Sequence, residues 1–95
     1  MIEKKINFKN GVVTGYEIEL PKTKLILARA DKGFVMCGFL NILAADKFGE
    51  AACVVKGVST IEDLLSGKIV EVSKSAEDLG VKTEMTGMAA LEKFM

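Results

Sequence analysis

The chain has 95 residues, enough for one domain, with 13 basic and 13 acidic side chains and no net charge. It has no histidine, no tryptophan and only two cysteines, Cys37 and Cys53. That excludes a Ser-His-Asp or Cys-His relay, a two-histidine zinc site and a Cys2His2 finger, and no metal site is expected. Zero net charge argues against nucleic acid as the main partner, because phosphate neutralisation needs clustered excess cation.

The first forty residues read as four strands in two hairpins. In Ile2 to Phe8 and Val12 to Leu20 the apolar residues favour even positions: Ile2, Ile6, Phe8, then Val12, Tyr16, Ile18 and Leu20. Such alternation marks strands with one buried face. Asn10-Gly11 signals the turn. A two-residue Asn-Gly loop would mix the faces. A three-residue loop, Lys9-Asn10-Gly11, pairs Phe8 with Val12 and Ile6 with Thr14 and brings the apolar sets together. Register follows the buried face, so the three-residue loop is expected, with Gly11 left-handed at a bulge.

The second hairpin follows the same plan. Lys24 to Ala30 runs into Asp31-Lys32-Gly33 and then Phe34 to Leu40, pairing Ala28 with Met36 and Leu27 with Cys37, and Gly33 is also expected at positive φ. Both strands are apolar on both faces, as in a sheet centre or an interface. Pro21 marks the boundary between the hairpins.

Beyond Asn41 the elements shorten. Asn41 caps a helix over Ile42 to Phe48 that Gly49 ends. Ala51 to Val55 is a brief strand. Ser59-Thr-Ile-Glu62 reads as a capping box before Asp63-Leu64-Leu65, with Gly67 as its stop. Lys68 to Ser73 alternates weakly as a further strand. Ser73 or Ser75 opens a helix at Ala76 to Leu79 ended by Gly80. Thr86 caps a last helix through Phe94 with Met88, Leu91 and Met95 along one side. The expected fold is α+β: one domain over 1–95, with a four-stranded antiparallel region over 1–40. Short alternating helices and strands follow over 41–95, with the helices on one face of the sheet.

The N-terminus carries no apolar h-region, and the longest apolar stretch, Phe34 to Ala45, is too short to span a bilayer, which takes about 20 residues. With two cysteines the chain reads as soluble and cytoplasmic, with no membrane contact. Mean hydropathy of +0.29 is high for so small a soluble domain. Small domains cannot hide many apolar side chains, so part of the surface is expected to meet another subunit.

Three segments resemble a known family: Asp31-Lys-Gly-Phe-Val-Met-Cys-Gly-Phe-Leu-Asn-Ile42, Gly57-Val-Ser-Thr-Ile-Glu-Asp-Leu-Leu65 and Met85-Thr-Gly-Met-Ala-Ala-Leu-Glu-Lys93. In this order they are similar to the YunC-like family, the domain of unknown function 1805, of archaea and bacteria. The resemblance implies that the β region over 1–40 mediates tetramerisation. It implies no catalytic residue and no cofactor.

Two residues are candidates for chemistry. In the expected register Cys37 faces Leu27, with Arg29 diagonal to it on the same face, where a cation would activate the thiol. Cys37 could equally be a small buried apolar residue. Arg29 stands alone as a charge in Leu-Ile-Leu-Ala-Arg-Ala. It could hold a carboxylate or phosphate, or pair with Asp31, Glu17, Glu19 or a neighbouring subunit, which is favoured. Cys53 reads as close-packing filler. Gly57-Val-Ser59 could offer backbone N–H groups to an anion, but simple capping is favoured. Glu62, Asp63, Glu77 and Asp78 read as solvated helix turns. The expectation is a homo-oligomeric domain, non-enzymatic on balance, that binds a partner or small ligand at subunit boundaries. The alternative is a small thiol enzyme or redox protein using Cys37 activated by Arg29.

Overall fold

Strands β1 (Ile2–Phe8) and β2 (Gly11–Glu19) form the first hairpin; β3 (Lys24–Arg29) and β4 (Phe34–Cys37) form the second. Helix α1 (Ile42–Phe48) leads to β5 (Ala52–Val55), α2 (Ile61–Ser66), β6 (Glu71–Val72), α3 (Lys74–Asp78) and α4 (Gly87–Lys93). This computed structural model describes all 95 residues. The fold is α+β, with one six-stranded sheet in the order β1-β2-β3-β4-β5-β6. All neighbours are antiparallel except β4 and β5, which are joined through α1 and run parallel.

Both hairpins close one residue tighter than expected. Phe8 pairs with Gly11, Ile6 with Val13 and Ile2 with Glu17, leaving Lys9-Asn10 as a two-residue loop. Gly11 has positive φ, as expected, but at 157 it is the first residue of β2 and not a left-handed bulge residue. In the second hairpin Leu27 pairs with Met36, Ala28 with Val35 and Arg29 with Phe34. The Ala30 N–H donates to the Gly33 carbonyl at 2.8 Å, so the loop is Asp31-Lys32. Gly33 does not have positive φ. It is glycine because an added Cβ would lie 2.5 Å from the Ala51 carbonyl and 2.8 Å from the Phe94 ring. The expectation failed at the first hairpin for a physical reason. It assumed that the first hairpin buries a single face, whereas β2 carries apolar side chains toward both, and the three-residue loop was then carried over to the second hairpin.

The caps explain where the helices begin. Asn41 accepts from the Leu43 N–H at 2.8 Å, and Gly49, at φ 73, ends α1 in the left-handed region. For α2 the cap is Thr60, one residue later than expected. Thr60 Oγ1 accepts from the Asp63 N–H at 3.0 Å, and Asp63 Oδ2 accepts from the Ser59 N–H at 3.0 Å. Ser73 caps α3 and Thr86 caps α4, accepting from the Ala76 and Ala89 N–H groups. The expected strand from Lys68 shrinks to Glu71–Val72, preceded by an isolated bridge between Lys68 and Thr86.

Alternation along the strands divides the side chains between two faces. One face is closed. Val13, Ile26, Ala28, Val35, Cys37, Cys53 and Val55 pack there beneath Ile61, Leu64 and Leu65 of α2, Ala76 of α3, and Ala90 and Leu91 of α4, with Phe94 just beyond. The inward stripe of α4 is therefore Gly87, Ala90 and Leu91, and Met88 is exposed. The other face is covered only at β4 and β5, where Ala45 of α1 packs with Met36, Ala52 and Val54. The helices were expected on one face of the sheet; instead α1 lies on the face opposite α2, α3 and α4. No helix is long and apolar enough to cross a membrane.

Candidate functional site: the open face of the sheet

The register places Val12, Thr14, Tyr16 and Ile18 of β2 on the open face, beside Leu27 and Arg29 of β3 and Phe34 and Met36 of β4. Val12 and Ile18 are exposed, Tyr16, Leu27 and Phe34 are half-buried, and only Met36 lies fully under α1. Apolar side chains on and just before α1 are exposed as well. Leu43 is 71% and Phe48 78% exposed, with Phe39, just before the helix, at 62%. A shallow apolar cleft of about 240 Å³ runs between sheet and helix, lined by Phe34, Met36, Leu40, Ala44 and Phe48 among others.

Arg29 stands at one end of this face. It is exposed rather than buried. The ion pairs of the molecule join Lys4 to Glu62, Lys24 to Glu17, Lys56 to Glu71 and Lys68 to Glu84, so Arg29 has no carboxylate partner, neither Asp31, Glu17 nor Glu19. Its neighbours across the strands are Thr14 and Phe34. Lys5 Nζ donates to Thr14 Oγ1 at 3.3 Å, giving a row with a cation at each end and a hydroxyl between. Polar clefts of about 200 and 160 Å³ flank Arg29. One is lined by Asp31, Lys32 and Glu50, the other by Val12, Thr14 and Asp31.

Cys37 is not beside Arg29. The one-residue change of register turns the two to opposite faces, with Cys37 in the closed core and Arg29 on the open side. Cys37 is 5% exposed, and its Sγ accepts the Ile26 N–H at 3.4 Å. The structure thus withholds from Cys37 the cation meant to activate it. Cys53 lies on the neighbouring strand, paired with Val35. Burial pushes its thiol up to about 12. Both cysteines are free.

Buried Glu17 and Ser73 have anchoring roles beyond the ion pair and helix cap expected of them. Glu17 Oε2 accepts the Ile61 N–H at 2.9 Å and so fastens β2 to the start of α2, with Lys24 3.7 Å from Oε1. Ser73 Oγ accepts from the Ala52 N–H and donates to the Glu50 carbonyl, fixing the entry to β5. Both are structural anchors, and the contacts that make them so join segments far apart in the chain. The Gly57-Val-Ser59 amides are not held out to a ligand, since Asp63 occupies the Ser59 N–H. No three Cys, Asp or Glu side chains converge as a metal site would require.

Comparison with known proteins adds a family. The model of the domain of unknown function DUF1805 matches residues 36–94. The chain is 40% identical over 86 residues to the uncharacterized protein YunC of Bacillus subtilis strain 168, covering 86% of this chain and 85% of that protein. The crystal structure of a protein of unknown function, TA1206 from Thermoplasma acidophilum, matches with a TM-score of 0.94 at 30% identity. That match covers 99% of this chain and 92% of the other.

Proposed function

Because this chain belongs to the DUF1805 family of uncharacterised proteins, we propose that it is a non-enzymatic, self-associating cytoplasmic domain. Copies cover one another's open face and take up a partner or small ligand at the boundary between them. The observation that carries this reading is the unequal finish of the sheet. One face is sealed by helices, while on the other Val12 and Ile18 are exposed and Tyr16, Leu27 and Phe34 half-covered, with Phe39, Leu43 and Phe48 exposed on and just before α1. An exposed apolar field of this breadth is a mark of an interface. Burial of even one exposed Phe or Leu contributes about 1.5–3 kcal/mol, so a few such side chains are enough to drive association.

Arg29 supports the second half of the reading. A guanidinium at the rim of an interface requires an anion once water is withdrawn. Arg29 has none within its own chain. A carboxylate of the neighbouring copy or of a small ligand fills that role.

Native mass spectrometry of gently purified protein tests the proposal. The expected result is an oligomer, a tetramer in line with the family resemblance, that Phe48→Glu or Leu43→Glu reduces to smaller species without loss of helix and strand signal by circular dichroism. A wild-type monomer at micromolar concentration overturns it, as does full assembly in both variants.

A further inference from the structure

We infer that Lys5, Thr14 and Arg29 form a binding site for a phosphate group, free or carried on a small ester. This rests on the ligand half of the reading above, the need of Arg29 for an anion, and names the anion. The three residues come from three adjacent strands. Lys5 of β1 pairs with Thr14 of β2, and Thr14 with Arg29 of β3, so they form one row across the open face. Neighbouring strands lie about 4.8 Å apart, which roots the two cations about 10 Å from each other with the hydroxyl midway. Both side chains are long enough to reach inward over Thr14.

The row acts as one unit rather than as three surface residues. Thr14 is only 6% exposed, although it stands on the open face. Lys5 Nζ already leans in, donating to Thr14 Oγ1 at 3.3 Å. Arg29 and Thr14 line the same polar cleft of about 160 Å³, with Val12, Ala30 and Asp31. Neither Lys5 nor Arg29 has a carboxylate within salt-bridge distance. Two like charges thus converge on one hydroxyl with nothing to offset their repulsion. Guarding a sheet edge accounts for lysines on β1. It does not account for Arg29, because β3 is an inner strand.

The missing partner is defined by what the row lacks. An ammonium offers three donors and a guanidinium five, and neither accepts. Thr14 Oγ1 accepts from Lys5 and gives its own hydrogen to no group of the chain. The cluster is therefore rich in donors, poor in acceptors and doubly positive. A carboxylate, with one charge and two oxygens, answers the Arg29 fork and leaves Lys5 unneutralised. A phosphate group carries about −1.5 to −2 charges near neutral pH and three acceptor oxygens. It meets both cations and the hydroxyl at once, through charge-assisted bonds. The cleft is smaller than the ~300 Å³ at which sites for drug-sized ligands begin, so it suits the phosphate and little of whatever carries it. Asp31 also borders the cleft. Its carboxylate repels phosphate, which places the anion toward Thr14 and Lys5.

Equilibrium dialysis of the full chain tests the site, with native mass read on the same sample. The probes are inorganic phosphate, glycerol 3-phosphate and acetate at low salt and mildly alkaline pH. Wild type is expected to take up one phosphate group per chain with a Kd of about 1 mM or tighter, weakening as salt rises. Acetate bound as tightly as phosphate overturns the assignment. Arg29→Ala, Lys5→Ala and Thr14→Val should each weaken phosphate uptake about tenfold or more, as loss of a bond to a charged group does. Arg29→Lys should recover part of the loss, because it restores the charge without the fork. Lys22→Ala, which removes a cation outside the row, should change nothing. Lys5, Lys22 and Arg29 are all exposed, so their variants keep the fold. Equal uptake in Arg29→Ala and Lys22→Ala overturns the site. Uptake of glycerol 3-phosphate assigns an ester, and uptake of inorganic phosphate alone assigns the free ion. An assembled wild type that takes up neither overturns the inference and leaves the open-face reading intact. A monomer that takes up phosphate overturns self-association and leaves the site standing, since one chain supplies all three residues.

Discussion

The closed and open faces of the sheet use the same kinds of residue. On the closed side Val35, Cys37, Cys53 and Val55 lie beneath Ile61, Leu64, Leu91 and Phe94, and every one of these is buried. On the open side Tyr16, Leu27 and Phe34 are only half-covered and Val12 is exposed, because α1 is short and reaches no further than β4 and β5. Exposed apolar side chains gather on the open side at Val12, Ile18, Phe39, Leu43 and Phe48, while Met1, Ile2, Val70, Leu79 and Met88 are exposed elsewhere. The closed face holds the monomer together. The open face contributes little to it until something covers it.

The largest expected effect breaks or upholds that distinction directly. Phe94→Ala, in the closed core, should cost about 3–5 kcal/mol by urea unfolding. Phe48→Ala, on the open flank, should cost under about 0.5 kcal/mol in dilute protein, as surface substitutions do. At concentrations where copies associate, Phe48→Ala should lower the midpoint further, because binding stabilises by mass action. Equal, concentration-independent losses in the two variants would erase the contrast between the faces.

This contrast also explains what could be read in the sequence. The element order, the two hairpins and the caps at Asn41 and Thr86 were legible, because local chemistry sets them, and the cap of α3 was narrowed to Ser73 or Ser75, of which Ser73 is used. The register was not. Alternation in β1 and β2 is consistent with apolar sets on one face or on two, and only the packing of α2 against Gly15, where an added Cβ would lie 2.9 Å from Ile61, decides between them. The same one-residue change separated Cys37 from Arg29, so the proposed thiol site dissolved with it. The isolation of Arg29 was legible as an oddity, but its exposure was not. The cap of α2 fell one residue late because Ser59 and Thr60 have equivalent hydroxyls, and tertiary contacts choose between them.

A second prediction tests the closed face through its thiols. With Cys53 pushed up to about 12 by burial, the folded protein should react with Ellman's reagent far more slowly at Cys53 than the unfolded chain does. The sign of the pH effect follows. Between the ordinary thiol value of 9.0 and about 12, the unfolded chain releases the Cys53 proton and the folded chain keeps it. Unfolding then releases a proton, so the stability present below pH 9 falls as pH rises, by about 1.4 kcal/mol per unit at most. Cys53→Ala should flatten that alkaline slope measured by urea midpoints. An unchanged slope would mean that water reaches Cys53 and that this face is less tightly sealed than its packing implies.

The smallest effect sharpens the comparison at the helix caps. Thr60→Ala removes the acceptor for the Asp63 N–H at the start of α2, which seals the closed face, and should cost about 1 kcal/mol of global stability. Ser59→Ala should cost almost nothing, since Ser59 contributes only its backbone N–H to Asp63. Asn41→Ala removes the matching cap of α1. Because α1 packs on the open side against few residues, its fraying should be local and should weaken assembly more than it lowers the unfolding midpoint. Hydrogen exchange read at the α1 amides, beside native mass, separates the two effects. If Asn41→Ala lowers global stability as much as Thr60→Ala does and leaves assembly intact, α1 belongs to the monomer's core rather than to its interface.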